Sequence, residues 1–425
     1  MAQDVFGVSL PKNSSGVYTN ELNNFTENFQ MKHDAPVGEK FLLQTSCEFS
    51  RGNPISSSVA PAYVTDSLGN KVLYNPADTW QNQKAMGGRY SLEQSLIGKL
   101  GKGEIIAGAG FQLHTLRSTT TEGTYSVQYS PDPADTARFI RRTSGFALFQ
   151  YNIKFGDFHF IAGSRYEITP FGNAFAPRAG MTYNKKKLNI KVLYGRAFRV
   201  PLLWQAYSRQ FFTQKGLHPE ICNTLEFAVG YRFSPSLKVS LNAFWIDITE
   251  PITYIGSTNS YQNYGRVGSR GFEGEISWRK AGYGFFANAS YCIPTQNTVA
   301  DFLTEDKKHF LALPRLKLNG GAYWQLKNIS FALTFTLLGT RFGQTEFSAQ
   351  NSTPEEIVYD TKGYSPLLMT NFNLTFAKIL HKTDLSLHVY NAFNADYSAI
   401  QPYYGGHAPM PVNDRQISVN VIYRF

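Results

Sequence analysis

The sequence predicts an all-β protein, a transmembrane antiparallel β-barrel, on three observations. Stretches of alternating apolar and polar residues recur from residue 22 to the end. Short and long connections take turns between them. The last stretch, Ile417 to Phe425, alternates in the same way and stops on an aromatic residue. Period two marks a strand with one apolar and one polar face. Strands of about 10 to 14 residues suit a tilted crossing of a bilayer, whereas soluble sheets use strands of about five or six. Tight turns at one end and long loops at the other are the asymmetry of an outer-membrane barrel.

Composition narrows the function classes. Of 425 residues, 17% are charged, 15% aromatic and 42% hydrophobic. No apolar run approaches the length of a transmembrane helix, about 18 residues. The net charge of +10 is scattered, with no basic run interleaved with aromatics, which argues against nucleic acid as a partner. Cys47, Cys222 and Cys292 lie far apart, without metal-ligand spacing, and read as small strand or loop residues. There is no HExxH, GxSxG, phosphate loop or paired-carboxylate spacing, so no enzyme, cofactor or metal is expected. The start, Met1-Ala-Gln-Asp-Val-Phe-Gly7, has neither a basic nor an apolar signal region. A barrel of this kind needs one, so an upstream start or a fragment is expected.

In order, residues 1–21 are polar and read as a loop remnant, and residues 22–425 as the barrel domain, incomplete at its N-terminal side. Strands are expected at 22–34, 39–51, 89–100, 104–118, 140–154, 158–167, 174–184, 187–199, 219–233, 236–249, 266–279, 283–293, 313–326, 329–341, 366–378, 384–393 and 413–425. The alternation justifying them is plain in several. Leu225, Phe227, Val229, Tyr231 and Phe233 oppose Glu226 and Arg232. Leu316, Leu318, Ala322, Trp324 and Leu326 oppose Lys317, Asn319, Tyr323 and Gln325. Ile329, Phe331, Leu333, Phe335 and Leu337 oppose Ser330, Thr334 and Thr336. Leu385, Leu387 and Val389 oppose Ser386, His388 and Tyr390. Short turns fall at 35–38, 101–103, 156–157, 184–186, 234–235, 280–282, 327–328 and 379–383. Longer loops fall at 52–88, 119–139, 168–173, 200–218, 250–265, 294–312, 342–365 and 394–412. The count is about 17 strands. The first and last both run from outside to inside, whereas a closed single-chain bacterial barrel has an even number. The expectation is about 17 strands of a 22-stranded transporter barrel, with about five missing at the front.

Several motifs resemble the TonB-dependent outer-membrane receptors. Asn263-Tyr-Gly-Arg-Val-Gly-Ser-Arg-Gly-Phe-Glu273 is similar to the family's Asn, Gly, Ser, Gly-x-Glu stretch entering a strand. Val389-Tyr-Asn-Ala-Phe-Asn-Ala-Asp-Tyr397 resembles its Asn-Leu-Phe-Asp-x-x-Tyr segment, and Leu313-Pro-Arg315 its Pro-x-His/Arg strand opening. Ala197-Phe-Arg-Val-Pro201 with Leu217-His-Pro-Glu220 resembles its arginine-proline box and Pro-Glu lead-in, and Ile417–Phe425 its terminal strand. Each motif is weak alone; together, in the family's order over residues 197–425, they are specific. The family's N-terminal plug and TonB-contacting box are not found.

The resemblance implies a location in the bacterial outer membrane and uptake of a scarce large nutrient, most often an iron–siderophore complex. It implies TonB as a partner only through the missing plug, outer-membrane lipid around the wall, and the barrel-assembly machinery reading a terminal signal at Tyr423 and Phe425. Candidate ligand contacts are Arg199, Trp204, Tyr207 and Arg209 around loop 200–218, and Tyr403, Tyr404 and His407 in loop 394–412. Aromatic and basic residues at a barrel mouth suit an anionic iron chelate with aromatic groups. The plainer alternative gives these rings to the interfacial girdle and loop packing, and Arg199 with Pro201 to a strand end. His218 raises haem as a ligand, although its position fits a ligating histidine poorly. The rival function is a passive porin-like channel, marked by a constriction loop folded inward.

Overall fold

The structure is a computed structural model. It describes residues 26–424 apart from 60–62, 66–70, 74–80, 119–138, 208–215, 256–259, 296–297, 299–303, 305, 348–358, 380–381, 401–409 and 413. Its strands form one 17-stranded antiparallel sheet, each paired to its neighbours in sequence. They are β1 Thr26–Val37, β2 Phe41–Val59, β3 Gln81–Leu100, β4 Gly103–Ser118, β5 Phe139–Phe155, β6 Phe158–Thr169, β7 Gly172–Lys185, β8 Leu188–Arg199, β9 Glu220–Arg232, β10 Leu237–Thr249, β11 Arg266–Lys280, β12 Tyr283–Thr295, β13 Leu316–Leu326, β14 Ile329–Leu338, β15 Leu367–Phe376, β16 Thr383–Tyr390 and β17 Gln416–Tyr423. A meander of this kind is a barrel wall. No helix among the described residues is long and apolar enough to cross a membrane.

Register assigns each residue to a face, because directly opposed residues point the same way. One face carries the rows Tyr194–Leu225–Trp245 and Leu333–Phe372–Val389–Ile417. Phe227, Leu241, Phe272 and Trp324 stand exposed on it, as a lipid-facing band requires. Rings collect beside the short turns: Phe158 lies 4.8 Å from Tyr183, Tyr231 4.7 Å from Phe233, and Trp278 5.2 Å from Tyr283. This is the aromatic girdle of one membrane interface. The opposite face is polar and ties the strands laterally. Asn319 donates to Asn288 at 2.9 Å and accepts from Thr336 at 3.0 Å, and Asn371 donates to Thr334 at 3.3 Å.

Seventeen strands were expected and they fall where the alternation placed them, with shifted ends. Three expectations need correction. Loop 52–88 shrinks, since β2 runs on to Val59 and β3 starts at Gln81. The Gly52-Asn53-Pro54 break is absorbed by a register shift between Gly52 and Ile55 instead of ending the strand. Loop 168–173 is a tight turn. The Thr169 hydroxyl donates to the Gly172 carbonyl at 2.8 Å and accepts from the Phe171 N–H at 3.1 Å, and Gly172 takes a φ of 110°. Loops 250–265, 342–365 and 394–412 contain ribbons, Ile252–Ile255 with Ser260–Asn263, Arg341–Phe347 with Tyr359–Tyr364, and Ser398–Ala399 with Met410–Pro411.

The two ends of the sheet differ from its interior. Among the described residues no pairing joins β17 to β1. Both strands are exposed at almost every position, on both faces. Strand β1 is followed by a short turn and β17 is preceded by a long connection, so both run from the loop end to the turn end.

Candidate functional site

The loop end of the sheet carries two structured groups of side chains. The first lies on the polar face of β3, β4 and β5. There Arg89, His114 and Arg142 are direct cross-strand neighbours in one register row. Neighbouring strands lie about 4.8 Å apart, so three basic side chains are held side by side. Glu48 forms an ion pair with Arg89 at 3.4 Å. Farther toward the turns, Arg165 stacks 3.6 Å over the Phe146 ring and pairs with Glu167 at 2.8 Å. Gly110 makes room for that ring: a Cβ there would meet Phe146 at 2.7 Å. Arg178 donates to Gln150.

The connection after β8 closes over this row. Arg142 donates to the Pro201 carbonyl at 2.8 Å. A five-residue helix, α1 (Leu203–Tyr207), then packs on β4 and β5. The Leu202 N–H donates to the Gln205 side chain at 3.1 Å, which starts the turn. Leu203 and Gln205 are buried, as are Leu116 and Ile140, which share the face of His114 and Arg142. The loop therefore folds inward over the polar face. Asn263 clasps its far end, accepting from the His218 N–H at 2.8 Å and donating to the His218 and Glu250 carbonyls, each at 2.9 Å.

The second group joins three connections above β12 to β17. Arg341 is 7% exposed and donates to the Ser398 carbonyl at 3.2 Å, while its Nε has no partner. Burial draws its guanidinium below the ordinary value, with the Tyr364 and Tyr397 phenols opposing. Burial pushes the Tyr364 phenol up, and Arg341 pulls it back. The His309 ring lies 4.3 Å from Phe342, and the Ala312 N–H donates to the Phe342 carbonyl at 2.6 Å. Thr304 donates to Asp306 at 2.6 Å and the Lys308 N–H at 3.0 Å, so the Asp306 carboxyl sits below its ordinary value. His309 is lowered as well, by burial first and by Arg315.

The expected contacts distribute unevenly. Arg199 forms a bidentate pair with Glu220, 2.6 and 2.8 Å, and Glu220 also accepts from the Ile252 N–H at 2.9 Å. That is the strand-end role. Pro201 is fully buried. Trp204 and Tyr207 lie on α1. Arg209, Tyr403, Tyr404, His407 and Phe425 fall outside the described residues, and Tyr423 ends β17. His218 has its ring near Pro219 O at 3.3 Å and Glu250 at 3.4 Å, engagements that compete with a metal for its nitrogens. Sequence reasoning missed Arg89, His114, Arg142 and Arg341. Alternation puts each basic residue on a face, but the row they share depends on register, which the pattern of one strand does not carry.

Comparison with known proteins places this wall in a class. Residues 6–392 match the family model described as TonB dependent receptor-like, beta-barrel. The chain belongs to that family of outer-membrane barrels. No curated protein sequence matches it. Among solved structures, it is similar to the siderophore receptor PirA from Acinetobacter baumannii, with a TM-score of 0.68 at 12% identity over 96% of this chain and 63% of that one. It is similar to the FrpB iron transporter from Neisseria meningitidis, with a TM-score of 0.65 at 12% identity, 94% and 64% covered. A mutant of the ferric enterobactin receptor PfeA from Pseudomonas aeruginosa gives a TM-score of 0.64 at 15% identity, 96% and 62% covered. The chain thus spans less than two thirds of the length of these structures.

Proposed function

We propose that this chain is the greater part of the wall and mouth of a TonB-dependent transporter that takes up an anionic iron chelate, a ferric siderophore, across the outer membrane. The Arg89–His114–Arg142 row carries the reading. Arg89 and Arg142 flank His114 in this row, and two guanidiniums so placed at the mouth suit an anionic ligand. The iron receptors with the same fold support the substrate class. The remainder of the transporter, an odd number of strands and a plug through which TonB acts, is supplied from outside residues 26–424. Parity supports this: β1 and β17 run the same way, so an even antiparallel barrel needs an odd number of strands between them. The test is iron-restricted growth of an outer-membrane receptor knockout carrying the full-length gene, with ferric catecholates, hydroxamates and citrate as sole iron source. Growth on at least one chelate that is lost in Arg89→Gln/Arg142→Gln supports the reading. Growth on none, or equal growth of the variant, overturns it.

A second reading is favoured by the loop folded inward over β4 and β5, the mark of a porin constriction. Single-channel recording separates the two: a steady ohmic conductance from the full-length protein selects the passive channel.

A further inference from the structure

The lipid-facing side is charged in two bands only. From β2 to β17 it bears no charged side chain between the turn end, which has Lys185 and Lys280, and the loop end. At the loop end arginines cluster. Arg51 and Arg141 lie in one register row with Gly88 and Thr115 between them, and Arg117 stands two residues beyond Thr115. A second cluster lies on β8 to β11. Arg196 shares a row with Asn223 and Asp247, Arg270 faces Trp245 in the row below, and Arg266 faces Thr249 above. Arg266 forks onto Asp247.

The other arginines of these clusters make no ion pair among the described residues. Arg51 donates to the Met86 sulfur at 3.0 Å, a weak neutral acceptor. The Nε of Arg196 is enclosed and has no partner. On the polar face Arg89, Arg165 and Arg199 are each paired to a carboxylate. Position adds to this. Asn223 stands eight residues above the girdle ring Tyr231 on β9, about 27 Å along the strand and roughly 20 Å along the membrane normal for a 40° tilt. That puts the Arg196 row near the far edge of a hydrocarbon band about 25 Å tall. Below it, Tyr194, Leu225 and Phe272 offer exposed apolar surface for acyl chains.

We propose that these two arginine clusters hold the phosphates of the phosphorylated glycolipid of the outer leaflet, with its chains lying on the rings below. The guanidinium fork matches phosphate oxygens bidentately, and a water-poor interface strengthens the contact. The proposal rests on the outer-membrane reading, not on the ligand carried through the barrel. The experiment uses the full-length protein from outer membranes, delipidated in detergent and titrated with bisphosphorylated lipid A. Arg196→Gln/Arg270→Gln should weaken binding about tenfold. Arg196→Lys/Arg270→Lys should retain most of it, and Lys185→Gln/Lys280→Gln at the opposite rim should leave it unchanged. Heat-dependent mobility on gels verifies that each barrel is folded. Arg117→Gln/Arg141→Gln, with the same expected loss, replaces the first pair if that pair does not fold. Parental affinity in a folded glutamine pair overturns the proposal. So does equal binding of dephosphorylated glycolipid, or displacement by excess inorganic phosphate, which would mark a site for free anion. Absence of the parent protein from the outer membrane would instead overturn the location reading.

Discussion

Single side chains decide whether the mouth holds its shape. Arg142 joins β5 to the Pro201 carbonyl at the entrance to α1. A hydrogen bond with a charged partner contributes about 1.5–3 kcal/mol. We expect Arg142→Ala to free this loop by that amount, seen as faster proteolysis between residues 200 and 219 with an unchanged barrel. His309 and Asp306 set a pH response in the connection before β13. Both have folded pKa values below their ordinary ones. The sign is therefore the same for each: docking is complete above the ordinary value and is lost as pH falls toward the folded one. The histidine acts first, below about pH 6.5, and the aspartate only below about pH 4. Hydrogen exchange at Leu311 and Phe342, expressed relative to the intrinsic amide rate at each pH, should rise between pH 7.5 and 5, and His309→Phe, which keeps the ring against Phe342, should flatten that rise. An unchanged protection factor in the parent would count against it. None of this was legible in the sequence, where Arg142 and His309 are ordinary members of a strand and a loop.

At the scale of elements the sequence was most informative. Alternation located the wall strands because one face meets lipid and the other water, and that demand acts on every second residue. It failed where other forces set the outcome. The hydroxyl of Thr169 and the positive φ of Gly172 tighten a connection that composition alone made long. Ribbons extend the wall above the membrane, where no lipid imposes a pattern. The candidate ligand residues were less legible, because aromatic rings serve girdle, packing and binding alike. Arg199 shows why: its charge fits a ligand contact or a strand end alike, and Glu220 engages it at the strand end. Strand β17 bears the element-level prediction. Its lipid-facing residues Ile417, Val419, Val421 and Tyr423 lead to Phe425. Deleting Phe425 should lower the amount of heat-modifiable protein in the outer membrane severalfold without affecting synthesis. Normal membrane levels would remove this residue from the assembly signal.

For the whole molecule, stability should follow the sheet from its middle outward. Interior strands are hydrogen-bonded on both edges, and β1 and β17 on one edge within these residues. Local opening free energy falls where backbone groups face solvent. In the isolated 425-residue chain we expect amides of β1 and β17 to exchange fastest and those of β7 to β10 slowest. A uniform profile would mean that the ends find each other. That outcome is opposed by direction, since strands running the same way do not form an antiparallel pair.

Under the proposed reading, the shared direction of β1 and β17 gives this wall a defined socket. A peptide supplying the complement must cross the bilayer an odd number of times, so its two ends lie in different compartments. A second copy inserted the same way does not qualify, because its own first and last strands run in the direction of β1 and β17 and would meet them in parallel at both seams. The seam is thus a natural place to divide a receptor gene into two co-expressed pieces.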